Sequence, residues 1–379
     1  MKHALENSFV VEQKPFMSLL ASMQPICTKR TALDATSYLL MQISHKELII
    51  KSTDLEISLQ ASYLLDTTAT SANYCCMVSG KRIFDLIKEL EGAITCQFGD
   101  QQLILKAGGV TLSLNIKDAQ EFPPFPERIE NLMCLDGAVL LDMLSKVAFL
   151  IPQNNANPAL NGLYLEVSEN QMKMTTTDGH CLAQVSSSLY TLDEPKKWLL
   201  PRRAVFEVKK LLEGSADVQI FIGLCGNQLV FSGSSFNFFT KLLADPFPHY
   251  APILHKEGFR PATVDRAHFI KTLRRSACLL SGQFIATQFG FHVDELNVSM
   301  DNKEVGQLTE KLALTEFDGE KIDIRLYAPY VLSGLQAFGQ EKLSLYLQSP
   351  SKPIIFESTY QDRQVVYLVM PVCPTALQS

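Results

Sequence analysis

No stretch of the 379-residue sequence approaches the roughly 18 consecutive apolar residues a membrane helix needs. The first residues, Met1-Lys2-His3-Ala4-Leu5-Glu6, lack the apolar core of a signal peptide, so a cytoplasmic protein is expected. The nine cysteines are odd in number, include the adjacent pair Cys75-Cys76, and never fall at C-x-x-C spacing. That argues against a disulfide framework and a zinc site and predicts reduced, mostly buried thiols. Catalytic signatures are missing too. Gly80-Lys81 lacks the upstream glycine and following Ser/Thr of a phosphate-binding loop. Asp178 and His180 stand beside Cys181, but two residues apart, with no G-x-S-x-G elbow to expose a nucleophile. No His/Cys/carboxylate spacing suggests a metal. The expectation is a protein without cofactor, metal or enzymatic activity. Basic residues are not in excess: 34 Lys and Arg against 40 Asp and Glu give a net charge of −6, which argues against nucleic acid unless the charge is segregated.

What the sequence has is an internal repeat, and its apolar content of 46% and length allow two or three globular domains. Thr53-Asp54 and Thr177-Asp178 each follow a strand-like run, 124 residues apart, with a weaker copy ending at Asp301. Phe122-Pro123 and Phe247-Pro248 are 125 apart, and Met370-Pro371 follows 123 later. Gly99-Asp100 and Gly226-Asn227 each separate two alternating apolar runs, a hairpin signal. Three units of about 125 residues, 1–127, 128–254 and 255–379, account for the chain.

Each unit carries two amphipathic helix candidates: 14–23 and 80–91, 136–150 and 201–213, 265–280 and 327–339. Pro201 suits a helix start, and Gly92 and Gly214 sit where helices would stop. The remainder reads as short alternating strands, which makes each unit α+β, two helices on antiparallel sheet. The six helical segments together carry +5, so everything else carries −11. A basic helical surface and an acidic sheet surface follow if the helices share one face.

The sequence resembles the bacterial DNA polymerase III β sliding clamp family over essentially its full length. The resemblance rests on Leu160-Asn161-Gly162-Leu163 leading to Thr177-Asp178-Gly179-His180-Cys181-Leu182-Ala183, supported by Thr53-Asp54-Leu55-Glu56, Pro201-Arg202-Arg203, Phe247-Pro248-His249-Tyr250 and Leu368-Val369-Met370-Pro371. It implies a head-to-tail homodimer whose six domains close into a pseudo-sixfold ring around double-stranded DNA, held topologically and without base readout. On that reading Arg30, Arg82, Arg202, Arg203, Arg274 and Arg275 face phosphate. An apolar cleft for short linear motifs of the polymerase III catalytic subunit, the clamp loader, other polymerases and repair proteins would be formed by Leu160, Thr177, Gly179, His180, Leu182, Pro248, Ile253, Phe284, Tyr330, Pro353, Leu368, Val369, Met370 and Pro371. Leu112 and Leu114 of one chain would meet Leu279 and Leu280 of the other.

The sequence departs from the family's pattern at four places. Cys181 and Pro252 stand where members commonly place basic residues, which implies fewer charge-assisted contacts to a bound peptide. Pro158-Ala159 replaces an aromatic pair that can touch DNA, and the chain continues past Pro371 to Ser379. A repeat scaffold that binds protein alone would also explain the repeats and the cleft, but it leaves the basic helices unassigned.

Overall fold

The computed structural model describes residues 8–44, 46–65, 74–214, 218–281 and 285–372. Its contacts divide it into two compact units, Met1–Ala138 with Phe206–Leu242, and Val139–Val205 with Leu243–Ser379. Each is built on a twelve-stranded sheet.

All six predicted helices are present: α1 (Gln13–Cys27), α2 (Gly80–Lys88), α3 (Gly137–Val147), α4 (Arg202–Gly214), α5 (Arg266–Ala277) and α6 (Ala328–Gly334). The helical period explains them. Phe16, Leu20, Met23 and Ile26 recur every three to four residues along α1 and are fully buried, as are Phe269, Thr272, Leu273 and Ser276 on α5. Asp265 caps α5 by accepting from His268 N–H at 2.7 Å. Two stop signals act differently from expectation. Gly92 has φ +72 but lies beyond the C-cap residue Glu89, and Gly214 is the last helical residue of α4.

The strands follow the other period. Leu39, Met41 and Ile43 are buried on the Tyr38–Ser44 strand while their neighbours are not. The hairpin at Gly226-Asn227 joins Gln219–Cys225 to Gln228–Ser232, with Gly226 at φ +59, a conformation that glycine enters without a Cβ clash.

Each repeat contributes two four-stranded half-sheets laid out in the same order. In the first repeat these are 8–12, 93–98, 102–107, 110–118 and 74–79, 38–44, 47–53, 57–64. Each repeat thus has a forward strand (Ile57–Leu64, Cys181–Ser187, Gly306–Thr315) and a return strand (Val110–Asp118, Phe236–Lys241, Arg363–Val369). Within the first unit, forward strand Ile57–Leu64 pairs with return strand Phe236–Lys241 of the second repeat. Within the second unit, Cys181–Ser187 pairs in the same antiparallel way with Arg363–Val369 of the third repeat. Repeats are therefore joined by continuous ladders of backbone hydrogen bonds.

The reduced thiols divide more evenly than expected. Among the described cysteines Cys27, Cys76, Cys96 and Cys181 are buried, Cys225 is half-buried, and Cys75, Cys134 and Cys278 are exposed. Among the described residues no helix is long and apolar enough to cross a membrane.

Candidate functional site

The Thr-Asp corner is one hydrogen-bonded device used twice in full and once in part. In the second repeat Thr177 Oγ1 donates to the Cys181 carbonyl at 2.6 Å and accepts from Gly179 N–H at 3.1 Å. Asp178 Oδ1 accepts from the backbone N–H groups of His180 (2.8 Å) and Cys181 (2.7 Å). The turn needs φ +94 at Gly179. The first repeat reproduces it with Thr53, Asp54 and Leu55, the last at φ +74. In the third repeat the acceptor is Asn302 rather than Asp301: Asn302 Oδ1 accepts from Glu304 N–H at 3.0 Å, 124 residues after Asp178. Because Asp178 is spent on backbone donors, it does not orient His180 as a catalytic base. Burial, outweighing a hydrogen bond to Tyr367, pushes the Cys181 thiol up to about 12, too high for a nucleophile near neutrality.

The corner instead sets His180 beside a buried apolar cluster inside the second unit. Its ring stacks on Tyr330, centroids 5.6 Å apart and planes at 18°. Its carbonyl accepts from Met370 N–H at 2.9 Å. Tyr330 is held in turn by an edge contact from Tyr327 at 5.0 Å, and its carbonyl accepts from Tyr367 Oη–H at 2.7 Å. Behind them Leu182 and Leu368 face each other across the joint ladder and form a buried cluster with Ile355 and Val366. Leu160 lies against the corner, where a Cβ on Gly179 would sit 3.9 Å from its Cδ1. Pro353 and Val369 are buried at the strand ends, Pro371 is half-buried, and Pro248, Ile253 and Met370 are exposed. Phe284 lies outside the described residues.

Four wall residues escaped the sequence reading. Tyr250, Leu254, Phe259 and Tyr346 pack half-buried on the Leu182–Leu368 cluster. Tyr250 and Leu254 had a local signal, since they flank Pro252 and Ile253; Tyr346 reaches the cluster only through its pairing with Ile355. Tyr346 also lies under Lys256 Nζ, 4.2 Å from the ring centroid, and Lys256 is ion-paired to Glu357. With Cys181 buried and Pro252 uncharged, these residues are mostly apolar and aromatic, with Lys256 the cation beside them.

Charge segregates more strongly than the sequence boundaries implied. The six observed helices carry +9, leaving −15 elsewhere. Arg30, Arg82 and Arg274 are exposed and make no ion pair or side-chain hydrogen bond among the described residues. Arg275 differs: Glu310 grips it, accepting from Nε at 2.9 Å and also from Nη2. Arg202 donates from Nε to the Ile151 carbonyl at 3.0 Å, and Arg202 and Arg203 are both half-buried. Lys81 on α2 and Lys271 on α5, absent from the arginine set, are exposed in the same helical context.

Two strand edges are left over. In the first unit, 110–115 of the return strand pair only with Gln102–Ala107, the strand's other neighbour meeting it at 116–118. In the second unit, 306–313 of the forward strand pair only with Glu295–Asn302. Leu112 and Leu114 alternate half-buried along the first edge, with half-buried Ile116 next in the alternation where the other neighbour begins, and Leu279, Leu280 and Leu308 are half-buried in the repeat that carries the second. Ile116 and Leu308 extend the four leucines read from the sequence.

The geometry has close counterparts among known proteins. Residues 7–126, 134–249 and 253–373 match the family models of the DNA polymerase III beta subunit N-terminal, central and C-terminal domains. The beta sliding clamp of Pseudomonas putida is 25% identical over 368 residues, covering 96% of this chain and 99% of its own. That of Staphylococcus aureus is 22% identical, covering 96% and 98%. The Bacillus subtilis sliding clamp structure superposes with a TM-score of 0.89 at 17% identity, covering 98% of this chain and 100% of its own. The Pseudomonas aeruginosa clamp bound to griselimycin gives 0.88 at 22%, covering 97% and 99%. With family matches running through nearly its whole length, the chain belongs to the DNA polymerase III beta subunit family, the sliding clamps, which confer processivity on a polymerase and catalyse no reaction themselves.

Proposed function

We propose that two copies of the chain, each made of repeats 1–127, 128–254 and 255–379, close head to tail around duplex DNA and hold replication enzymes by short peptides in the cleft of the second unit. The observation that carries this reading is the count of joints. Three repeats offer three forward and three return strands, and two of each are used inside the chain. The forward strand Gly306–Thr315 and the return strand Val110–Asp118 remain open. Pairing them between copies makes a heterologous contact, and such a contact ends in a ring when its rotation closes. Leu279, Leu280 and Leu308 then cover Leu112, Leu114 and Ile116, and edges that would template aggregation are satisfied.

DNA enclosed in this way needs few phosphate contacts, so a chain of net charge −6 can serve if its helices line the opening. Arg30, Arg82 and Arg274, with Lys81 and Lys271, are the cations available for phosphate. Arg275 stays with Glu310 unless phosphate displaces it, Arg202 is tied to the Ile151 carbonyl, and the half-buried Arg203 adds to the positive charge at the start of α4. In the cleft, Tyr346, Phe259 and Leu254, half-buried over the Leu182–Leu368 cluster, receive apolar anchors of a partner peptide, and the His180–Tyr330 stack flanks it. Occupants are the polymerase III catalytic subunit, the clamp loader and other polymerases and repair proteins, and the setting is the cytoplasm. Griselimycin, which the Pseudomonas aeruginosa clamp binds, is a ligand this cleft should take.

The test is retention on DNA with and without ends. Protein loaded onto a nicked circle stays bound through gel filtration at moderate salt and is lost when the circle is cut; equal retention on both forms would reject topological binding. Arg82→Glu with Lys271→Glu weakens loading without unfolding the chain, because exposed substitutions cost within about 0.5 kcal/mol.

A further inference from the structure

The two internal joints share one strand pairing but differ in what lies beside it. At the far end of the Cys181–Ser187 ladder, Ser187 pairs with Arg363, and a dense polar cluster surrounds them. Asp142 of α3 accepts at Oδ2 from Tyr360 Oη–H (2.6 Å) and from Arg363 Nη1 (2.9 Å). Arg363 also donates from Nη2 to Gln361 and lies 4.8 Å over the Tyr360 ring. Ser187 Oγ donates to Asp362 Oδ2 at 2.5 Å, and Lys146 Nζ stands 3.9 Å from Asp142. The Arg363 side chain is only 10% exposed.

Among the described residues the first joint has no counterpart of the Asp142–Arg363–Tyr360 contacts. Helix α1 begins 124 residues before α3, so Ser18 and Ser22 occupy the places of Asp142 and Lys146. One step along the ladder past Ser62 and Ser235, Ser234 stands opposite Tyr63, the place of Arg363 opposite Ser187. These serines line an open groove of about 590 Å³, which the ion pair Lys210–Glu207 of α4 (3.5 Å) also borders. A joint therefore forms without a carboxylate–arginine tie from helix to return strand, and that tie occurs at the joint that carries the peptide cleft. From it a chain of contacts runs to that cleft. Helix α3 leads to Phe149, whose ring lies 6.1 Å from that of Tyr367; the Tyr367 hydroxyl holds the Tyr330 carbonyl, and Tyr330 stacks on His180. Gly334 keeps Tyr367 in place, since a Cβ there would fall 1.9 Å from the ring.

We infer that Asp142 is a positioning residue for partner binding: by tying Tyr360 and Arg363 to α3 it fixes the Tyr367–Tyr330–His180 wall, roughly 20 Å along the ladder. The inference rests on the cleft reading above and deepens it. Its test is calorimetric titration of the full-length protein with griselimycin. Asp142→Ala raises Kd about tenfold at unchanged stoichiometry and leaves retention on circular DNA intact, while Asp142→Glu stays within about twofold of the parent. Arg363→Lys, which keeps charge but not the two-sided geometry, falls between them. Loss of a merely structural residue would instead lower the fraction of competent protein without changing the Kd of the rest. The inference is overturned if Asp142→Ala and Arg363→Lys both bind within twofold of the parent, or if only stoichiometry falls. Tyr330→Ala separates the two claims: if it leaves griselimycin binding intact, the cleft is misplaced, whatever Asp142 does.

Discussion

Leu55 and Gly179 occupy the same place in two copies of one turn, both at positive φ, and only the glycine fits it without strain. A leucine in that conformation costs about 1–2 kcal/mol, partly offset in comparison with glycine by the larger chain entropy that glycine loses on folding. Leu55→Gly should therefore stabilise the protein by about 0.5–1 kcal/mol, visible as a higher midpoint in urea unfolding; a lower midpoint would mean that the exposed leucine makes a contact worth more than its strain. Glu310 gives a second prediction at this scale. Burial acts to raise its carboxyl pKa, but hydrogen bonds from Arg275 and Thr272 and the nearby positive charges win, and it lies below the ordinary carboxylate value. A depressed folded-state pKa contributes stability above the unfolded value of about 4.3 and loses it as pH falls through the folded one. The melting-temperature gap between the parent and Glu310→Gln should be present at pH 6 and shrink below about pH 4. A gap independent of pH would contradict the ion-pair assignment. The same pair shows what local sequence cannot say: Arg275 reads as an open helical cation because its partner is 35 residues away.

Elements were legible where their signals are local. Apolar period placed six helices within a few residues of their observed ends, and Gly-Asn between alternating runs placed a hairpin. The third corner was read one residue early because aspartate was sought where asparagine makes the same bond, in a turn one residue longer than in the other copies. The pairing of forward with return strands was not legible at all, since it joins residues more than a hundred positions apart and leaves no mark on either strand's alternation. The cleft wall suffered for that reason: Tyr346 and Phe259 approach Leu182 and Leu368 only once the joint has formed. The open edges carry the prediction at this scale. If copies pair through these edges as proposed, Leu112→Asp or Leu308→Asp places a carboxylate in the centre of their contact. Each should weaken the dimer by at least about 2 kcal/mol, roughly thirtyfold, while each chain remains folded, because both leucines are only half-buried in the single chain. Sedimentation across a concentration series measures it, and a dimer of unchanged affinity would move the interface elsewhere.

For the whole molecule, repetition does what no single site does. One half-sheet plan used three times leaves one open strand of each kind, and charge follows the same division, with +9 on six helices in a chain of −6. Neither fact concerns a catalytic group; both concern how copies meet and what they can surround. Averaged electron-microscope images of the purified protein examine that claim most directly. The account predicts a two-copy particle with a central opening wide enough for a DNA duplex, and a compact particle with no opening would contradict it.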